Sequence, residues 1–201
     1  GTNKERLVSV ASAQALHRAL PDADLWFWEV TDTVHEVGSK ALLEHSRPFE
    51  VDFKPGNRGI AFEVALDKAK AEDRVLVLGL HGGRAENGEL QAMCEMRGVT
   101  FTGSGSASSN LAFDKAAAKR FAAIAGVAAP AGIALENLDA AFAEYGRLIA
   151  KPARALASAA QAACARSGGT RGKLMCGPFA RATPQWAIAH LGSSVAACAN
   201  D

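Results

Sequence analysis

Glu5 and His81 are the first residues of this chain whose types and positions invite chemistry. Glu5 heads residues 5–20, a stretch with neither glycine nor proline. At a helix start a carboxylate gains about 0.3–1 kcal/mol from the helix dipole alone. His81 follows the apolar run 75–80 and precedes Gly82-Gly83. A histidine there either serves the structure or offers a titratable imidazole at the strand end where open α/β sheets bind ligands. Lys115 sits beside Asp114 at the start of another helix-forming stretch, and Lys151 follows the strand-like residues 147–150. Lys115 is a solvated surface cation or an anion contact, because helix N-termini and ammonium groups both favour anions.

Other candidate chemistries fail on spacing. Cys94, Cys164, Cys176 and Cys198 form no CxxC pair, and none has a histidine at zinc-finger spacing. They read as buried free thiols in a reducing compartment, with no metal or redox site. Gly103-Ser104-Gly105 lacks the third glycine of a dinucleotide loop. Gly172-Lys173 lacks a P-loop's leading glycine, replaced by Ser167, and its Ser or Thr, replaced by Leu174. No G-x-S-x-G nucleophile elbow occurs.

The elements that must position these residues follow from periodicity. Residues 5–20 predict a helix with Val8, Ser12, Leu16 and Leu20 on one face, ended by Pro21. Residues 24–30 predict a strand, 60–71 a helix, 75–80 a strand covered on both faces, 87–97 a helix, and 99–102 a strand. Gly98 stands where a left-handed C-cap belongs. This alternation argues for an α/β layer with a largely parallel sheet, and for a first domain over residues 1–102. Asp114 is placed to cap a helix running through Phe121 and Ile124 to Gly126, and residues 136–145 predict another helix before the strand 147–150. These begin a second domain, 103–154. Residues 155–201 are dominated by Ala, Ser, Gly, Arg and Cys, carry no acid before Asp201, and are left without a fold assignment.

Composition narrows the function classes. With 201 residues, 49% apolar and 21% charged, the chain can bury a sizeable core. Lys plus Arg total 22 against 21 for Asp plus Glu, so the net charge of +1 gives no general attraction to nucleic acid or an anionic membrane. No apolar run approaches the roughly 20 residues that span a bilayer, and the start lacks a signal-peptide pattern, so the expected location is cytoplasmic.

Four stretches, in order, resemble one enzyme family. Residues 1–9, Gly-Thr-Asn-Lys-Glu-Arg-Leu-Val-Ser, are similar to the end of a G-G-x-S-x-E-R-x-V-S turn. Residues 80–91, Leu-His-Gly-Gly-Arg-Ala-Glu-Asn-Gly-Glu-Leu-Gln, resemble L-H-G-x-x-G-E-D-G-x-x-Q. Thr102-Gly103-Ser104-Gly105 with Asp114-Lys115 and Lys119 resembles Y-T-G-S-G and M-D-K-xxx-K. Leu148-Ile149-Ala150-Lys151-Pro152-Ala153-Arg154 resembles V-K-P-x-R. These are motifs of D-alanine:D-alanine ligases, ATP-grasp enzymes of peptidoglycan synthesis. The resemblance implies a Rossmann-like pre-ATP-grasp N-terminal domain with a parallel sheet, followed by a partial ATP-grasp central domain. It implies Glu5 on the ammonium of the first D-alanine, His81 facing that substrate, Lys115 and Lys151 on ATP phosphates, magnesium as cofactor, and a homodimer.

Three departures from the family pattern bear on function. Asn87 replaces an aspartate, keeping capping ability while losing charge. Where the family continues E-G-S-S-x-G after its arginine, this chain has Ala155-Leu156-Ala157-Ser158-Ala159-Ala160, with Ala157 at the register of a substrate-site serine. Beyond residue 139 only Glu144 and Asp201 are acidic, so no magnesium ligands are identified. A shifted reading frame or discontinuous segments would produce such a tail. The resemblance thus predicts a ligase by descent whose 201-residue chain is inactive alone; the alternative is a ligase-like module that binds ATP weakly or serves only as an interaction domain.

Overall fold

The computed structural model describes residues 5–130, 138–145, 147–150, 162–166, 174–178 and 196–197. The chain divides into two compact units, Gly1–Asn110 and Leu111–Asp201.

In the first unit, the glycine-free opening forms α1 (Arg6–Ala19), closed by the Leu20 N–H donating to the Leu16 carbonyl before Pro21. Its buried residues are Ser9, Val10, Gln14 and His17, whereas Val8, Leu16 and Leu20 are at least a third exposed. The repeat at four-residue steps is therefore not the most buried stripe of the helix. The reason is tertiary: the Gln14 amide donates to the carbonyls of Leu42 and His45, both at 2.8 Å, which makes burial of a polar side chain tolerable.

β1 (Leu25–Trp28) and β2 (Thr33–Val37) form an antiparallel hairpin, and β3 (Ile60–Ala61) pairs antiparallel with β2. Asp32 takes a positive φ of 58° in the hairpin turn, a conformation that aspartate tolerates better than most residues. The short α2 (Ser39–Leu43) follows, and α3 (Phe62–Ala71) starts directly after β3. β4 (Val75–Leu76) lies parallel to β5 (Thr100–Phe101), joined by α4 (Glu89–Arg97), whose end is Gly98 in the left-handed region at φ 63°. The unit is thus α/β with a parallel strand pair. The strand expected over residues 75–80 is ladder-bonded only at Val75–Leu76. Beyond it, Leu78 N–H donates to the Thr102 hydroxyl and Gly79 N–H to the Val77 carbonyl.

The main core gathers Trp28, Val34, Phe62, Leu66, Leu90 and Cys94, with Trp28 and Phe62 stacked at a centroid distance of 4.3 Å. Full burial of a Leu or Phe side chain contributes about 1.5–3 kcal/mol, so this cluster ties α3 and α4 to the hairpin. A groove of about 360 Å³ opens beside it, lined among others by Leu16, Trp26, Leu66, Leu76 and Leu78. Among the described residues, β1 pairs only with β2 and β4 only with β5, so each contributes an edge strand to the groove.

The helix α5 (Ser106–Phe113) follows the Gly-Ser-Gly loop. The Glu95 carboxylate accepts from both the N–H and the hydroxyl of Ser106, and these bonds hold Glu95 below the usual carboxylate range. In the second unit, α6 (Lys115–Ile124) and α7 (Leu138–Tyr145) accompany an antiparallel sheet of β6 (Arg147–Ala150), β7 (Ala162–Arg166), β8 (Leu174–Pro178) and β9 (Ala196–Ala197), in the order β8-β7-β6-β9. No helix among the described residues is long and apolar enough to cross a membrane.

Candidate functional site

Glu5 is the N-cap residue of α1, and its side chain makes no cap bond, so its carboxylate does not occupy the helix N–H groups. One turn later, the Ser9 hydroxyl donates to the Glu5 carbonyl at 3.3 Å and accepts from the His81 backbone N–H at 2.9 Å. That single serine joins the start of α1 to the loop after β4. Another turn along, Ser12 Oγ lies 2.8 Å from His81 Nε2, while His81 Nδ1 faces Glu86 Oε1 at 3.7 Å. Ligand atoms of Glu5, His81 and Glu86 all fall within 4.8 Å of one another.

The loop that carries His81 and Glu86 is braced on several sides. Gly82 adopts φ 81°, and Gly83–Ala85 forms one turn of 3-10 helix, which swings Glu86 back toward His81. Arg84 grips both oxygens of Asp32 at 2.7 and 2.9 Å and lies over the Trp28 ring at 5.1 Å, fastening the loop to the hairpin. Gln91 donates to the Ala85 carbonyl at 2.9 Å. Asn87 Oδ1 accepts from the Glu89 N–H at 2.9 Å, so the residue that replaces aspartate keeps its capping bond. Gly88 has φ 94°, and a Cβ there would meet the Ser106 carbonyl at 2.4 Å, so glycine is required on two counts.

Glu5 is buried, at 9% exposure, while the side chains of His81 and Glu86 are 38% and 35% exposed. Burial pushes the Glu5 carboxyl above its ordinary pKa, the Glu86 charge adds to the rise, and His81 partly offsets it. Two carboxyl groups and an imidazole at the end of a parallel strand make a cation-accepting corner, half open to solvent. An ammonium placed there relieves the repulsion between the carboxylates.

The sequence expectation that Glu5 and His81 lie close together agrees with this geometry. Ser9, Ser12 and Glu86 were not singled out as site residues. A signal existed for the serines: Glu5, Ser9 and Ser12 fall at i, i+4 and i+7, one polar stripe of the helix. Glu86 stands at the glutamate of the L-H-G-x-x-G-E-D-G motif, but only the folded 3-10 turn shows that it returns to His81.

Lys115 lies in the second unit as the first residue of α6, with its Nζ 5.9 Å from the Phe113 ring centroid. The expected cap is present, Asp114 Oδ1 accepting from Ala117 N–H at 2.9 Å. That carboxylate already supplies negative charge at this helix end, where a phosphate would compete with it. Lys151 lies outside the described residues. Magnesium prefers an octahedron of oxygen ligands. The cluster of Glu5, His81 and Glu86, which contains an imidazole, is the one group of potential metal ligands among the described residues, and it does not fit that preference. The sulfur of Cys94 is buried and unbonded, with its thiol pushed up to about 11 by that burial.

Against known proteins, residues 1–104 match the family described as D-ala D-ala ligase N-terminus. The chain is 43% identical over 106 residues to the D-alanine--D-alanine ligase of Cupriavidus taiwanensis, a match covering 51% of this chain and 31% of that protein. It is 37% identical over 89 residues to the ligase of the same name from Pediococcus pentosaceus, covering 44% and 24%. The chain therefore spans under a third of the length of these curated relatives. Among solved structures it resembles the D-alanine-D-alanine ligase of Helicobacter pylori with a TM-score of 0.60 at 18% identity, over 92% of this chain and 66% of that one. The Coxiella burnetii ligase gives 0.58 at 16% identity, over 80% and 51%. These structural likenesses show a shared fold.

Proposed function

The chain belongs to the D-ala D-ala ligase N-terminus family, and from that premise we propose that its first unit is the amino-acid-binding part of a D-alanine:D-alanine ligase. The observation that carries the reading is the convergence of Glu5 on His81 and Glu86 at the start of α1. In this reading Glu5 accepts the ammonium of the first D-alanine, with Glu86 adding negative potential behind His81. An amine held as ammonium between carboxylates has no lone pair, so it cannot compete as the nucleophile, and the carboxylate of the same molecule is left as the group to be activated. His81, steadied by Ser12 at Nε2 and by Ser9 at its backbone, orients that molecule.

By the family's chemistry, ATP phosphorylates the carboxylate of one D-alanine, and the amine of a second then attacks it to give the dipeptide of cell-wall precursors. Lys115 and Lys151 are the residues of this chain proposed to meet the nucleotide phosphates. The family relationship also supports a cytoplasmic enzyme acting as a homodimer. With no acid between Glu144 and Asp201, the 201-residue chain alone is proposed to bind D-alanine without joining two of them.

Calorimetric titration with D-alanine, compared between the chain and its Glu5→Gln variant, tests the site. The expected result is binding that weakens at least tenfold in the variant, as loss of a charge-assisted bond of about 1.5–3 kcal/mol implies. Equal binding by both proteins removes Glu5 from the substrate. Incubation with ATP, magnesium and saturating D-alanine, followed by chromatography, tests inactivity, and robust dipeptide formation overturns it.

A further inference from the structure

We infer that Glu5, His81 and Glu86 form a three-ligand site for a borderline-soft divalent cation of the zinc type. The inference goes beyond the amino-acid reading and does not depend on it, although both call on the same corner of the fold.

Three observations carry it. One potential ligand atom from each residue lies within 4.8 Å of the other two, and His81 Nδ1 is already 3.7 Å from Glu86 Oε1. Metal bonds of about 2.0–2.2 Å in a tetrahedron require ligand separations of about 3.3–3.6 Å, a contraction within the reach of the His81 and Glu86 side chains, which are 38% and 35% exposed. Second, the imidazole has its outer partner in place. Ser12 Oγ lies 2.8 Å from Nε2, and in the tautomer that carries its proton on Nε2 the lone pair of Nδ1 faces the carboxylates. A metal-binding histidine almost always has its other ring nitrogen held in this way. Third, two carboxylates have been brought together with one of them buried, and a divalent cation neutralises both.

The donor set decides the class of ion. One imidazole nitrogen with two carboxylate oxygens suits zinc and its neighbours among the first-row metals, whereas magnesium and calcium prefer oxygen alone. Three protein ligands leave the fourth tetrahedral position to water. An ion held there would exclude an ammonium from Glu5, so in the proposed ligase site zinc acts as a competitor of the amino acid.

The experiment titrates zinc chloride into the 201-residue chain in a non-chelating buffer, without nucleotide or D-alanine, and repeats it with magnesium chloride and with His81→Asn and Glu86→Gln. Expected are one zinc site, at least tenfold weaker in each variant, no saturable magnesium binding, and a zinc-dependent shift of the His81 Nδ1 resonance in imidazole nitrogen NMR. Should His81→Asn fail to fold, Glu86→Gln at a part-exposed position and the His81 resonance still decide. Zinc binding unchanged in Glu86→Gln, an unmoved His81 signal, or magnesium bound as tightly as zinc overturns the site. Zinc binding in a chain that ignores D-alanine upholds this site while refuting the amino-acid reading.

Discussion

Replacing Glu5 with glutamine preserves the side chain's size and removes its charge, which isolates the electrostatic cost of the corner. A Glu5 oxygen lies within 4.8 Å of Glu86. At that distance two unit charges repel by about 1 kcal/mol in a water-like dielectric and by about 3–4 kcal/mol at an effective dielectric of 20. Glu86 is 35% exposed, so the lower figure applies. Burial of the Glu5 carboxylate adds to it, while the positive end of α1 opposes it by about 0.3–1 kcal/mol. The net expectation is that Glu5→Gln is more stable than the parent by about 1 kcal/mol at pH 7.5. The pH dependence follows from the raised pKa of Glu5. A carboxyl that holds its proton more tightly when folded contributes its stability below the ordinary carboxylate value and loses it as pH rises through the folded value. Glutamine does not ionise, so parent and variant should coincide at acid pH and separate above it. Urea unfolding followed by fluorescence, with Trp26 and Trp28 reporting on the first unit, measures the gap at pH 4 and pH 7.5. A variant less stable than the parent at pH 7.5, or a gap that does not change with pH, refutes the reasoning.

Two further outcomes concern the scaffold that holds the site. Leu66 is 1% exposed in the main core, so Leu66→Ala should cost about 2–5 kcal/mol in urea unfolding, and a loss below about 1 kcal/mol would show that the surroundings collapse into the space. Cys94 is fully buried with its thiol pushed up to about 11, so peptide mapping after iodoacetamide treatment at pH 8 should find it unmodified in the folded chain and modified in urea. Labelling of the folded chain at Cys94 would mean that α4 opens readily.

Features written into short stretches of chain were the legible ones. Asp114 caps α6 and Gly98 ends α4 because a carboxylate beside free N–H groups and a glycine in the left-handed region act within a few residues. The inward face of α1 was not legible, since it depends on carbonyls 28 and 31 residues from Gln14. The strand Thr33–Val37 escaped for a similar reason: its pairing with β1 turns on Asp32 adopting a positive φ. At the site, Glu5 and His81 stood out because their motifs are distinctive, whereas Glu86 acquires a role only after Gly82, Arg84 and Asp32 have shaped the loop. Local geometry is encoded locally, and a cluster drawn from one helix start and one distant loop is encoded in how those pieces meet.

The groove beside the core has a consequence for how copies of this chain behave toward one another. Among the described residues β1 and β4 present strand edges beside an apolar wall, and a strand edge is a template for any other extended backbone. What guards the rim is charge: Lys68 Nζ and the Arg74 guanidinium sit 6.0 and 5.4 Å from the centre of the Trp26 ring, at the end of the groove formed by β1. Both cations are tied to acids, Lys68 to Glu36 and Arg74 to Glu72 and Asp24, so their guard weakens as salt screens those pairs.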